Sequence, residues 1–194
     1  MIKYIFLSLI LFIGVSCQLE NKTEKKQDNT VAETVKTNNY ISPYDSFNYD
    51  ISKDVAPYKL SLNTFQIAKD EFSLEVNIEL NQGSFFVSPK SKGSFKGKFR
   101  IEFNKNNHLE IDKAFTESPE SKEVFDSHPY VNGYVNWVKE NTKYNKTLKL
   151  KEKKGNFTVT GVIKFVIEPK CTLEEIPFIL IYENGELIIR RDMC

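Results

Sequence analysis

From Phe72 to Leu80 the chain alternates apolar and polar residues without a break, and that rhythm limits what it can fold into more than any other feature. Successive side chains of a strand point to opposite faces, so Phe72, Leu74, Val76, Ile78 and Leu80 share one face of a half-exposed strand. The pattern returns at Phe99–Phe103, at Leu109 and Ile111, and from Tyr130 to Val138, where Val131, Gly133, Val135 and Trp137 fall on one side. Leu148 and Leu150 follow. Phe157–Ile167 is predicted as one long strand closed by Pro169, and Ser84–Ser88 as a short one stopped by Pro89. Asn81-Gln-Gly83 reads as a turn and Lys154-Gly-Asn156 as a hairpin turn. Glu183-Asn-Gly185 stands between Ile176–Tyr182 and Leu187–Arg190, and Asn-Gly between apolar runs is the strongest short-range hairpin signal. Pro119–Phe125 reads as an exposed loop. About eight or nine short strands, with turn signals roughly every ten residues, predict an all-β antiparallel sandwich over residues 58–194.

Before that domain the chain changes character. Lys3 precedes the apolar run Tyr4–Val15, which is shorter than the roughly 20 residues a membrane-crossing helix needs and has the layout of a secretory signal. Ser16-Cys17 at its end resembles a bacterial lipoprotein signal, with Gly14 where that family usually places Leu, Val or Ile. The resemblance implies that residues 1–16 are removed and that Cys17 carries the lipid. Ordinary secretion, with Cys17 a free thiol, is the alternative. Residues 17–39 hold few apolar side chains and read as a flexible tether. Residues 40–57, rich in Tyr, Phe and Pro, read as an extended lead-in that packs on the edge of the domain rather than as a binding motif of its own. Gln18 lacks the Asp linked to inner-membrane retention in similar lipoproteins, which points to the outer membrane of a bacterial cell envelope.

Charge excludes one class of partner. The chain holds 27 Lys and Arg against 26 Asp and Glu, and Lys3 is the only charged residue among positions 1–16. Proteins that neutralise phosphates carry a basic excess or a basic face, so no nucleic acid is expected.

Three cysteines become two once Cys17 is lipidated, and an oxidising compartment favours a bridge between Cys171 and Cys194. Two free thiols are the competing arrangement. Trp137 reads as a core anchor, with a sugar-stacking surface ring as the sharper alternative. His108 and His128 lack metal-ligand spacing, and no metal or cofactor is expected. Glu117/Glu120 and Glu174/Glu175 show no sign of the cleft that a catalytic pair requires. Asp45, Asp50 and Asp54 lack the calcium-hand pattern. The sequons at Asn21, Asn145 and Asn156 matter only in a eukaryotic secretory route.

Gly83-Ser-Phe-Phe-Val-Ser-Pro89 and Thr160-Gly-Val-Ile-Lys-Phe-Val-Ile-Glu-Pro-Lys-Cys171, followed by Ile176-Pro-Phe-Ile179, carry a further resemblance. From about Leu60 to Arg190 the order of segments resembles the immunoglobulin-like N-terminal domain of the envelope thiol:disulfide interchange reductase. That resemblance implies an immunoglobulin-like sandwich and a cysteine pair that passes electrons on. Cys171 stands where the first of the pair belongs, and Thr172–Ile179 contains no second. A relay needs its resolving thiol within about 7 Å, Cα to Cα, and only Cys194 is left to supply it. The sequence therefore favours a non-enzymatic binding or interaction module. Thiol-disulfide exchange with a periplasmic thioredoxin-like partner through Cys171 and Cys194 is one alternative, and a glycan-binding lipoprotein is another.

Overall fold

The computed structural model describes residues 40–46, 55–81, 83–151 and 155–191. The signal and tether segments, Cys17, Asn21, Asp50, Asp54 and Cys194 lie outside the described residues. Twelve strands make up the ordered elements among those described: β1 (Tyr58–Ala68), β2 (Glu71–Leu80), β3 (Phe86–Val87), β4 (Arg100–Phe103), β5 (Leu109–Ile111), β6 (Thr116–Ser118), β7 (Glu123–Asp126), β8 (Gly133–Val138), β9 (Thr142–Leu150), β10 (Phe157–Ile167), β11 (Thr172–Glu183) and β12 (Glu186–Arg191).

Two antiparallel sheets form the layers of the sandwich. One runs in the order β1-β2-β9-β5, with β6 also paired to β9, and the other in the order β12-β11-β10-β4. The alternation that marks β2 in the sequence buries Phe72, Leu74, Val76 and Ile78 against Ile163, Phe165, Ile167, Phe178 and Leu180 of the opposite layer. Strand β10 alternates buried and half-buried residues along nearly its whole length, as a strand with one inward face must. Each large apolar side chain so enclosed contributes about 1.5–3 kcal/mol, and this core holds the two layers together. The result is the all-β antiparallel sandwich that the strand rhythm predicts. The β11–β12 hairpin closes at Glu183↔Glu186, with φ of 53° at Asn184 and 88° at Gly185. Asn and Gly are the residues that tolerate this left-handed backbone, which explains their place in the turn.

A third, three-stranded sheet, β3-β8-β7, lies outside both layers and has its own small core of Phe85, Val87, Val135 and Trp137. Three details depart from the sequence reading. Part of Pro119–Phe125 is not loop: Glu123–Phe125 belongs to β7, whose Val124 and Phe125 pair with Val135 and Tyr134 of β8. The strands on either side of Lys154–Asn156, β9 and β10, are not a hairpin pair, because they belong to different layers. Thr116–Ser118, whose short polar sequence gives no alternation signal, pairs with β9.

Candidate functional site

The third sheet is organised around a carboxylate. Asp126 closes β7 fully buried, and its two oxygens accept from three donors: Oδ2 from the Ser42 hydroxyl at 2.8 Å and from Trp137 Nε1 at 2.8 Å, and Oδ1 from the His128 amide at 2.9 Å. A buried charge is tolerated only when it is paired or fully hydrogen-bonded, and this one is bonded at both oxygens. Its bonds join three segments distant in sequence: the lead-in at Ser42, β7, and β8 at Trp137. Residues 40–46 pack here, with a turn closed by the Asp45 amide donating to the Ser42 carbonyl at 3.0 Å. Tyr44 stacks on His128 with ring centroids 4.8 Å apart and meets Phe85, Tyr130 and Trp137 edge-on at 5.1, 5.9 and 5.6 Å. Its hydroxyl donates to Glu168 Oε1 at 3.0 Å. Burial first, and then the Glu168 carboxylate, push the Tyr44 hydroxyl well above its ordinary value, with smaller contributions from Cys171 and Asp126. Tyr40 is pushed up to about 12, mainly by burial and secondarily by Asp126.

Beside this cluster lies a cavity of about 150 Å³. Tyr44, Phe95, Tyr130 and Trp137 line it, with Val166 behind them and Lys96 and Glu168 among its remaining walls. Gly97 lets the loop after β3 lie flat here, since a Cβ at that position would stand 2.5 Å from Val166 Cγ2. The Gly97 carbonyl accepts from the Val166 amide at 2.8 Å, which fixes that wall. Tyr130 is 82 % exposed and forms the outer lip.

Of the residues singled out in the sequence, the structure brings Trp137 and His128 into this site and sets Cys171 close to it. Trp137 is 6 % exposed and held at right angles by Phe85 and Tyr44. It is a core anchor whose indole N–H is satisfied, and so little open surface does not stack a sugar ring. Cys171 is exposed, with a free thiol, in the turn between β10 and β11, at φ 50°. The acidic pairs have structural roles. Glu117 is buried, accepting from the Ser88 hydroxyl and the Ser121 amide, whereas Glu120 pairs with Lys90 on the surface. Glu174 accepts from Tyr58 at 2.7 Å and Glu175 pairs with Lys164 at 2.8 Å. His108 stacks on Phe157. Asp45 reaches His128 Nε2 at 4.0 Å. Among the described residues no cluster of His, Cys, Asp and Glu could hold a metal ion.

Among the described residues Lys146 is the one buried cation. Its ammonium lies 4.1 Å from the centroid of Phe115, and burial pulls its pKa below the ordinary lysine value against the opposing pull of Asp112.

Sequence reasoning missed Asp126, Tyr44, Phe95 and Glu168. The aromatic density of Tyr40–Tyr49 was a usable signal for Tyr44. Asp126, two residues after Val124 in a short strand, gave none.

No protein-family model matches the sequence, and the search of curated proteins finds no match. Among solved structures the fold is similar to the crystal structure of the N-terminal domain of Neisseria meningitidis DsbD in its reduced form. The identity is 8 % and the TM-score 0.36, over 70 % of this chain and 90 % of that one. The order of strands in the sequence resembles the same kind of domain. The likeness assigns no role to any residue here.

Proposed function

We propose that this chain is a lipid-tethered β-sandwich of the bacterial cell envelope, lying at the outer membrane, that works by binding rather than by catalysis, with the pocket beside Tyr44 and Trp137 as its binding face. The pocket carries the reading. It is concave and aromatic, and it is held in shape by the fully bonded Asp126, which is how a preorganised binding site is built. The signal-like start, ending at Cys17, supports the location and the anchor.

Sulfur chemistry has less support. Arg191 pairs with Phe178, seven positions along β11 from Cys171, a span of roughly 23 Å at the rise of a strand. The three residues from Arg191 to Cys194 extend by about 10 Å at most, and a disulfide needs its Cα atoms within about 7 Å. That reach speaks against a bridge between Cys171 and Cys194 and makes exchange the less favoured reading.

A photo-crosslinking residue at position 130, on the lip of the pocket, tests the reading in cells. An adduct with one envelope component, absent when the same residue replaces Thr158 on an outer sheet face, is the expected result. Equal labelling from both positions, or none from position 130, overturns it. A cysteine trap adds a second arm: covalent capture of a thioredoxin-like protein by Cys171 in a Cys194→Ser variant would replace binding with exchange.

A further inference from the structure

The walls of the pocket share one electrostatic character. Aromatic rings carry negative charge on their faces, and four rings, those of Tyr44, Phe95, Tyr130 and Trp137, line this cavity together with Glu168. The Glu168 carboxylate is held in the wall by the Tyr44 hydroxyl at 3.0 Å, and no cation pairs with it among the described residues. Asp126 adds a second negative charge behind the rings, close enough to act on both Tyr40 and Tyr44. Size narrows the choice further. Sites for drug-sized ligands run from roughly 300 to 1,000 Å³, whereas this cavity holds about 150 Å³, space for a group of a few heavy atoms. An assembly of rings with a carboxylate beside it is the arrangement that holds organic ammonium groups by cation–π attraction.

We propose that this pocket binds a small organic ammonium group, of trimethylammonium or alkylammonium size, over the rings of Tyr44 and Tyr130, in front of the buried Trp137 and facing Glu168. The inference rests on the pocket being the binding face and names the chemistry that the face selects. Lys96 opposes it. The residue stands at the pocket without a carboxylate partner among the described residues, and it is exposed. Its long stem keeps the ammonium in water, so its charge weakens the site without filling it.

Trp137 is the chain's one tryptophan among nine tyrosines, so fluorescence excited at the red edge, where tyrosine does not absorb, reports on this pocket. Three probes separate the possibilities: choline, its neutral isostere 3,3-dimethylbutan-1-ol, and Nα-acetyl-lysine methylamide. Saturable binding of choline, on the order of tenfold tighter than the isostere, is expected from cation–π attraction to desolvated rings. Glu168→Gln should reduce choline affinity several-fold and leave the isostere unchanged, and Lys96→Ala should raise choline affinity. The tighter of choline and the lysine probe names the source, a free or lipid-borne head group in the first case and a polypeptide side chain in the second. Equal binding of choline and the isostere, or no response to either, overturns the proposal. Crosslinking at position 130 that persists despite that failure would leave the binding face standing with a different ligand class.

Discussion

The large core is closed by side chains that need only be apolar and of suitable size, whereas the small one depends on particular atoms in particular places. Between the two layers, Phe165, Ile163 and Leu180 are wholly buried among other hydrocarbons, and many substitutions of similar volume would serve there. In the third sheet, Asp126 must offer both oxygens, Trp137 its indole N–H and Ser42 its hydroxyl, or a buried polar atom is left without a partner. The scaffold is thus robust and unspecific, while the site is specific and fragile. That is the division expected where function is grafted onto an architecture.

Four measurements break or sharpen that contrast. Phe165→Ala should have the largest effect, about 3–5 kcal/mol from lost burial and the cavity left behind. Urea unfolding followed by far-UV circular dichroism and by Trp137 emission should shift together, because both regions depend on the layers. Asp126→Ala should cost about 3 kcal/mol, as the unpaired Ser42 hydroxyl and indole N–H lose charge-assisted bonds. Here the two probes should part, with Trp137 emission moving to longer wavelength at lower urea than the dichroism. If they stay coincident, the third sheet is no separate unit and the contrast fails. Ser42→Ala should cost about 1 kcal/mol and show itself locally, as faster amide exchange around Tyr44 with the β10 and β11 amides unchanged.

The smallest effect is alkaline. Tyr44 keeps its proton in the folded chain above the ordinary tyrosine value near 10. The unfolded chain therefore releases that proton first, and stability present below pH 10 is lost as pH rises beyond it. Tyr44→Phe removes this contribution, so the variant should lose less stability than the parent between pH 10 and 12. Parallel curves would show that the phenol is not held neutral by its surroundings.

How much could be read beforehand follows the same division. β2 and β10 declare themselves because alternation is a local property, set by which face meets the core, and the β11–β12 turn does so because Asn184 and Gly185 suit a backbone few residues accept. The strands β3, β6 and β7 have two to four residues each, too short for a period to appear. They are fixed instead by bonds between distant positions: Ser88 to Glu117, Ser42 to Asp126, the Phe85 amide to the Glu168 carbonyl. No window of sequence contains both ends of such a bond. The site is illegible for that reason, although two of its members, Trp137 and His128, stand out singly in the sequence.

One wall of the pocket comes from before the first strand. Tyr44 sits on the segment that enters the domain from its N-terminal side, moored by Ser42 to Asp126. A pull arriving along the chain from that side loads this bond, the Tyr44–Glu168 bond and the Tyr44 ring contacts before it strains any ladder of the sandwich. Were the chain held at Cys17 as proposed, traction on it would reach the Tyr44 ring before the layers, so that mechanical load as well as ligand concentration would bear on occupancy.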